Sequence, residues 1–383
     1  MTEGSLPHPR SPPQPSAYNG REGGGMGIVE DFCEMVRIPS ESGNEAEFLG
    51  WLRERFQERT GANCRFDNYG NLICKLPGKG TRKAEAILLC AHADTVRPGT
   101  GVEPVVEGDV IRSRGDTILG ADDKAGIAAI LHGILGARHH PPLEVVITRE
   151  EEVGLLGAKN LDVSLLESRI GFVLDGEALD EIIIGGPSHF LIDVEITGRS
   201  AHAGMEPEKG ISAITAAARA IVRLPQGRLD HATTANVGTI QGGSVRNAVP
   251  ERVRIQAECR SLEHPRAVEV AELYQRIFRE EAEAMGAAAE VKVELAYRAS
   301  RVPEDSPAVR LAAAAIASLG LDPKPRLICG GTDASILNQK GITAVVLGMG
   351  AREAHTAREH IRIRDLEAAA SLVRALLENA TSL

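Results

Sequence analysis

The sequence predicts an α/β protein: a mixed, mostly parallel sheet flanked by helices, with a smaller α+β unit inserted into it. Three observations predict this. Continuous apolar runs of strand length, residues 86–91 and 143–148, suit the centre of a sheet covered on both faces. Helical spacing separates such runs, as in the Ala-rich stretch 124–138, and strands alternating with helices build that kind of sheet. Between about Gly186 and Ala296 the pattern changes to period-two strands interrupted by two helices.

In chain order, residues 1–25 are rich in Pro, Ser and Gly and cannot bury enough surface to order themselves, so a disordered tail is expected, with Met26 as a possible alternative start. Residues 28–36 and 45–59 have helical spacing, and 72–76 form a short strand after the turn residues Gly70 and Asn71. The strand 86–91 is followed by a hairpin over 105–111 around Gly108-Asp109, the helix 124–138, and strands at 143–148 and 171–174. The inserted unit has strands at 190–196 and 252–258 and helices at 211–224 and 265–285. The first pattern then resumes with helices at 307–319, 333–340 and 366–377 and a buried strand at 343–347. The expected organisation is a catalytic, metal-binding domain over 26–186 and 297–383, with a lid or dimerisation domain over 187–296.

A chain of 383 residues, 43% apolar and 25% charged, is long enough for two globular units. A net charge of −10 with no basic cluster argues against nucleic-acid binding. No apolar run reaches membrane-spanning length, and the opening residues lack the apolar core of a secretory signal. The six cysteines form no CxxC pair and sit mostly in apolar segments, which reads as small core residues in a reducing cytoplasm.

The chemistry gathers at strand ends, where open α/β sheets bind their ligands. His92 and Asp94 follow one apolar run, Glu150 to Glu152 another, Asp175 a third, and His355 lies a few residues past a fourth. Taken singly, each has a plainer reading: a packed histidine, a solvated charge run, a turn aspartate. Together they form a mixed His/carboxylate set that suits Zn²⁺ or a similar divalent ion. Asp122, in Leu119-Gly-Ala-Asp-Asp-Lys-Ala-Gly126, could be only a helix cap, but it is placed to bridge two ions. Two Zn²⁺ against Asp122, Glu152 and Asp175 leave one positive charge. Glu151, held next to a ligand, is free to move protons, first as general base and then as general acid. Asp94 would accept the second N–H of the His92 ring and fix its tautomer. Gly330-Gly331, before a short helix, offers backbone N–H groups to a substrate anion, or is a plain turn.

These motifs resemble the dinuclear zinc peptidase and amidohydrolase family of peptidase T, carboxypeptidase G, aminoacylase and succinyl-diaminopimelate desuccinylase. The resemblance runs from about Met26 to the end. It is carried by His92-Ala-Asp94, Gly120-Ala-Asp-Asp-Lys124, Glu151-Glu-Val-Gly154, Asp175-Gly176, Gly198-Arg-Ser-Ala-His-Ala-Gly204, Gly330-Gly-Thr-Asp333 and Ala354-His355. It implies one zinc on His92 and Asp175, the other on Glu152 and His355, Asp122 between them, Glu151 as base, Asp94 behind His92, and Asp123 as a neighbour. It also implies that His202 reaches the partner subunit's site to stabilise the oxyanion, and that Asn247 and Arg260 contact substrate. An Asn amide can hold a carbonyl oxygen, and an Arg a carboxylate.

The resulting expectation is a cytoplasmic zinc metallopeptidase, homodimeric through the inserted domain. It carries two Zn²⁺ per subunit, with Co²⁺ or Mn²⁺ as alternatives. It cleaves small peptides in the manner of a tripeptide aminopeptidase and binds neither nucleic acid nor membrane. The form of residues 118–126 looks closest to peptidase T, although this chain is shorter and its Ser-Ala-His-Ala-Gly segment is common to the wider family. The alternative is an N-acyl-amino-acid amidohydrolase with the same metals. More remote is a metal-binding scaffold without catalysis, which would have lost a ligand or the base.

Overall fold

A computed structural model of the chain describes residues 27–80 and 84–380; the expected tail, residues 1–25, lies outside them. The large sheet runs in spatial order Asn63–Phe66, Leu72–Leu76, Leu143–Thr148, Ile87–His92, Ile170–Gly176, Thr343–Gly348, Glu181–Gly186 and Ser300–Arg301, with Lys324–Leu327 pairing to Glu181–Gly186. The four strands from Leu143–Thr148 to Thr343–Gly348 are mutually parallel, and antiparallel strands flank them.

The continuous apolar runs are explained by burial on both faces. Ile87–His92 and Leu143–Thr148 are buried at every position. Because side chains alternate along a strand, Leu89, Ala91, Val145 and Ile147 face the core built by helices Ala121–Gly136 and Ile363–Asn379. Leu88, Cys90 and Val146 face the opposite core, which includes Leu337 of the short helix Asp333–Gln339. Ala121–Gly136 is Ala-rich because it is central and closely packed. A Cβ on Gly133 would fall 2.5 Å from Val373 Cβ, so only glycine lets Ile363–Asn379 approach this near.

A second sheet has the order Gly227–Arg228, Thr233–Gly242, Arg252–Ser261, Ser188–Thr197, Ala288–Tyr297 and is antiparallel throughout. Here one face is wet, and the alternation is plain: Arg252–Ser261 reads exposed, buried, exposed, buried from its start. Ile192, Val194, Ile196, Val253 and Ile255 point into a separate core under helices Ala213–Arg223 and His264–Ala284. A third sheet, in the order Ala351–Arg352, His360–Arg362, Val110–Ser113, Pro104–Glu107, leaves a hairpin between Arg352 and His360.

One reading from sequence is corrected. Cys64 and Cys74 are not free core thiols but form a disulfide. They stand opposite each other across the antiparallel pair Asn63–Phe66/Leu72–Leu76, a register that a ten-residue spacing does not reveal. Cys33, Cys90 and Cys259 are buried and free. Asp122 (ψ 104°) and Asp123 (ψ 29°) leave helical geometry, so the regular part of Ala121–Gly136 begins after the paired carboxylates, where the sequence reading starts its helix at 124. No described helix is long and apolar enough to cross a membrane.

Candidate metal centre

The carboxyl ends of the parallel strands deliver the expected groups to one place. His92 ends its strand, Asp175 is the penultimate residue of Ile170–Gly176, and Glu150 to Glu152 follow Leu143–Thr148 after Arg149. His355 arrives on the hairpin of the third sheet. Its backbone is left-handed (φ 64°), as is that of Glu353 (φ 52°), a conformation that non-glycine residues adopt at a cost and that aims the imidazole inward.

Asp122 lies between the two histidines. Its Oδ1 is 3.1 Å from His92 Nε2, and its Oδ2 is 3.2 Å from His355 Nε2. Asp175 Oδ1 lies 3.7 Å from His92 Nε2, and Glu152 Oε1 2.8 Å from His355 Nε2. His92, Asp122 and Glu152 offer ligand atoms within 4.8 Å of one another, and so do His92, Asp123 and Asp175. Asp122 has the geometry of a bridge, since its two oxygens face two different histidines, whereas Asp123 has one oxygen bound to backbone and the other buried without a hydrogen-bond partner. Asp123 Oδ2 accepts the backbone N–H of His92 at 3.1 Å, and its Oδ1 faces the Cα of Gly126.

The electrostatics fit cations. Burial opposes a charged imidazole at His92, yet hydrogen bonds to Asp122, Asp175 and Asp94 carry its pKa well above the usual value. Hydrogen bonds to Asp122 and Glu152 push His355 up to about 10. Burial raises Asp122, but the two imidazoles override it and hold the carboxyl well below the usual range. Burial pushes Asp175 up to about 7 despite the nearby His92. Burial also drives Glu151 well above the usual carboxylate range, aided by Asp175, Asp333 and Glu152. A pocket that so favours protons on imidazole favours divalent cations for the same reason, and its two imidazoles and three carboxylates are hard-to-borderline donors.

Asp94 is fully buried, and its bonds differ from a simple imidazole partner. His92 Nδ1 lies 2.9 Å from the Asp94 backbone oxygen and 3.4 Å from its carboxylate. The carboxylate accepts the N–H groups of Glu151 (2.9 Å) and Glu152 (3.1 Å) and the hydroxyl of Ser42 (2.7 Å). Asp94 thus fixes the backbone of the Glu151-Glu152 loop as well as the orientation of His92. Glu45, buried in turn, holds the same loop through Glu150 N–H (3.2 Å) and Arg149 Nη2 (3.0 Å).

The remaining expected residues stand apart from this cluster. His202 is exposed, and its imidazole bonds within its own loop: Nδ1 accepts the N–H groups of Gly204 (3.2 Å) and Met205 (3.1 Å). Those two donors fix the tautomer, leaving Nε2–H directed outward. Asn247 is beside it, its carbonyl accepting the Ala203 N–H at 3.0 Å. Arg260 is half-buried at the junction of the two large sheets and donates to Glu258 at 3.1 Å, while its buried Nε has no partner. Gly331 lies against Tyr297, where a Cβ would fall 2.5 Å from Cζ and closer still to the hydroxyl.

Sequence reasoning missed several residues that shape the site. Asp333 is buried, bonds to Thr148 Oγ1 and keeps Oδ1 without a partner. Ser42, Glu45 and Glu359 were also missed. Asp333 belongs to a noted motif, Gly330-Gly-Thr-Asp333, which was its one available signal; the others act on loops distant in sequence.

Residues 189–286 match the model of a peptidase dimerisation domain of the M20 type. The chain is 39% identical to YqjE of Bacillus subtilis, with 92% of this chain and 98% of that one aligned. The crystal structure of aminopeptidase PepT from Bacillus cereus superposes with a TM-score of 0.83 at 37% identity, covering 92% of this chain and 98% of that one. A tripeptidase from Staphylococcus aureus gives a TM-score of 0.87 at 35% identity over 93% and 98%. With whole-chain likeness of this extent and a site of this form, the chain belongs to the M20 family of metallopeptidases and is of the peptidase T type.

Proposed function

We propose that this protein is a dinuclear zinc aminopeptidase that cleaves small peptides, tripeptides foremost. The observation that carries the reading is Asp122, whose two carboxylate oxygens each face a different histidine. His92 and Asp175 would hold one ion, His355 and Glu152 the other, and Asp122 both. Zinc suits this donor set, with cobalt or manganese as substitutes. Bound there, the ions would supply Lewis acidity toward a peptide carbonyl and lower the pKa of water.

The chain's own groups do the rest. Glu151 takes a proton from the attacking water and returns it to the leaving nitrogen. Asp94 keeps His92 and the Glu151-Glu152 loop in register. His202, with Nε2–H free to donate, serves the oxyanion in the site of a partner subunit, and the unit over 187–296 acts as lid and dimerisation element. Asn247 and the N–H groups of Gly330 and Gly331 hold substrate carbonyl or carboxylate oxygens, and Arg260 holds a carboxylate. The whole-length likeness to an aminopeptidase PepT and a tripeptidase, at higher identity than to an acetylornithine deacetylase of Myxococcus xanthus (32%), supports peptides as substrates.

The test is a hydrolysis panel of tripeptides, dipeptides and N-acyl amino acids, with metal-stripped protein as control. Tripeptides are expected to turn over fastest, and stripping to abolish turnover. Faster cleavage of N-acyl amino acids would overturn the substrate reading. Full activity after complete stripping would overturn the metal reading.

A further inference from the structure

Glu359 is one of the most deeply buried carboxylates in the molecule, 1% exposed, and no substrate or ligand role in the site described above uses it. It lies on the hairpin that carries His355, four residues further along. Its Oε2 accepts the N–H of Gly120 at 2.7 Å, and its Oε1 accepts the N–H of Asp122 at 2.9 Å. One side chain thus grips the backbone on both sides of Ala121. Gly120 takes a left-handed turn there (φ 74°), and Asp122 departs from helical geometry, so neither amide is aligned by the helix itself.

A neutral cap would satisfy these amides. A carboxylate adds negative charge beside Asp122, offset only in part by the buried Lys124, and burying charge is expensive. Its value is geometric: two charge-assisted bonds from one rigid group fix the peptide plane of Asp122 and tie it to the hairpin of His355. Asp122 must present one oxygen toward His92 and the other toward His355, and a small rotation of its backbone would spoil both. We infer that Glu359 is a positioning residue that sets the bridging carboxylate and locks the two halves of the metal centre together. The inference rests on the dinuclear reading given above.

The experiment compares wild type, Glu359→Gln and Glu144→Gln. Glu144 is the control: it is also buried and also accepts backbone N–H groups, from Glu167 and Ser168, but it lies near the start of its strand, about 13 Å from the site. Metal-free proteins are titrated with Zn²⁺ against a chromogenic chelator, and Co²⁺ spectra, kcat and KM are recorded for the loaded forms. Glu359→Gln keeps one acceptor and turns an amide N–H toward the other backbone donor. It should weaken binding of at least one zinc about 10-fold or more, alter the Co²⁺ spectrum and lower kcat with KM little changed. Glu144→Gln should lower the melting temperature and leave zinc affinity and the spectrum unchanged. Should Glu359→Gln not fold, Glu359→Asp, too short to reach both amides, is read by the same criteria.

Zinc affinity and spectrum within two-fold of wild type for the Glu359 variant would overturn the inference, even with a lowered melting temperature. Wild-type protein that takes up no zinc, cobalt or manganese would overturn the dinuclear reading, and this inference with it. The two failures are therefore distinguishable.

Discussion

Gly126→Ala should destabilise the protein and cripple the site, although helix propensity alone predicts the reverse. Gly126 lies inside Ala121–Gly136, where alanine is worth about 1 kcal/mol over glycine. A Cβ at this position would fall 2.9 Å from Asp123 Cγ and closer still to Asp123 Oδ1 and the carbonyl oxygen of Leu174. Leu174 O is backbone, one residue before Asp175, so it cannot swing aside. Ordinary contact needs roughly 3.4 Å or more, and the helix and strand must part by about 1 Å. Overpacking of this kind costs about 3 kcal/mol, against about 1 kcal/mol gained in propensity, for a net loss of about 2 kcal/mol. That corresponds to a melting temperature lower by about 4–8 °C. Asp123 also holds the His92 backbone, so the same shift reaches His92 and Asp175, and a displacement of about 1 Å can cost 100-fold in kcat. Calorimetry and tripeptide kinetics on the purified variant measure both. A higher melting temperature with activity within two-fold of wild type would refute the reasoning.

Glu151→Ala should lower kcat by about 100- to 10,000-fold while metal content by elemental analysis stays at wild-type level; full turnover would refute its role as base. His202→Ala should be similarly slow, and mixing it with Glu151→Ala under conditions of subunit exchange should restore a fraction of the activity, because one mixed site then has both groups; no restoration would argue against a shared site. Zinc at 100 times its dissociation constant should stabilise the metal-free protein by about 2.7 kcal/mol per site, a rise of order 10 °C for two sites in a thermal melt. Asp31 is fully buried, and although burial raises its pKa, His132 (2.6 Å) and Arg59 (2.9 Å) hold it below the ordinary carboxylate value. A depressed folded pKa gives stability that is present above the unfolded pKa of about 4 and lost as pH falls through the folded value. Asp31→Asn should therefore cost about 3 kcal/mol near neutral pH, with the gap to wild type closing below about pH 4 in urea titrations.

The centre of the sheet was legible because burial on both faces leaves no polar positions: Leu143–Thr148 and Ile87–His92 read as strands without help. The edges were not. Asn63–Phe66 buries only Cys64, and Thr233–Gly242 is exposed over most of its length, so neither carries a period that competes with loop composition. Glu181–Gly186 holds three consecutive isoleucines but was not read as a strand, because it is short and runs straight into glycine. The clustering of the proposed ligands at strand ends was legible since topology puts strand ends together in any sheet of this type. Glu359 and Ser42 were not: each bonds to a loop far away in sequence, Glu359 across 237 residues, and nothing near either marks the partner. The disulfide was hidden for the same reason, being a matter of strand register.

The buried carboxylates behind the proposed ligands, only partly legible in the sequence, explain how the site holds its shape. Asp94, Asp123, Glu45 and Glu359 are all fully or almost fully buried, and each gives at least one oxygen to the backbone of a segment bearing a proposed ligand. Loops at the mouth of a sheet have no ladder to fix them, so backbone N–H groups there need other acceptors. Uncharged acceptors would serve stability equally well. Carboxylates are the worse choice for an empty pocket, because each brings further negative charge to a region where burial, and after it neighbouring carboxylates such as Asp333, already raises Asp175 and Glu151. They become the better choice only when positive charge occupies the centre, since the same field that penalises the empty state then strengthens cation binding. The supporting carboxylates and the ligands they support are thus one electrostatic unit. Removing any single support should be felt in metal affinity before it is felt in the fold.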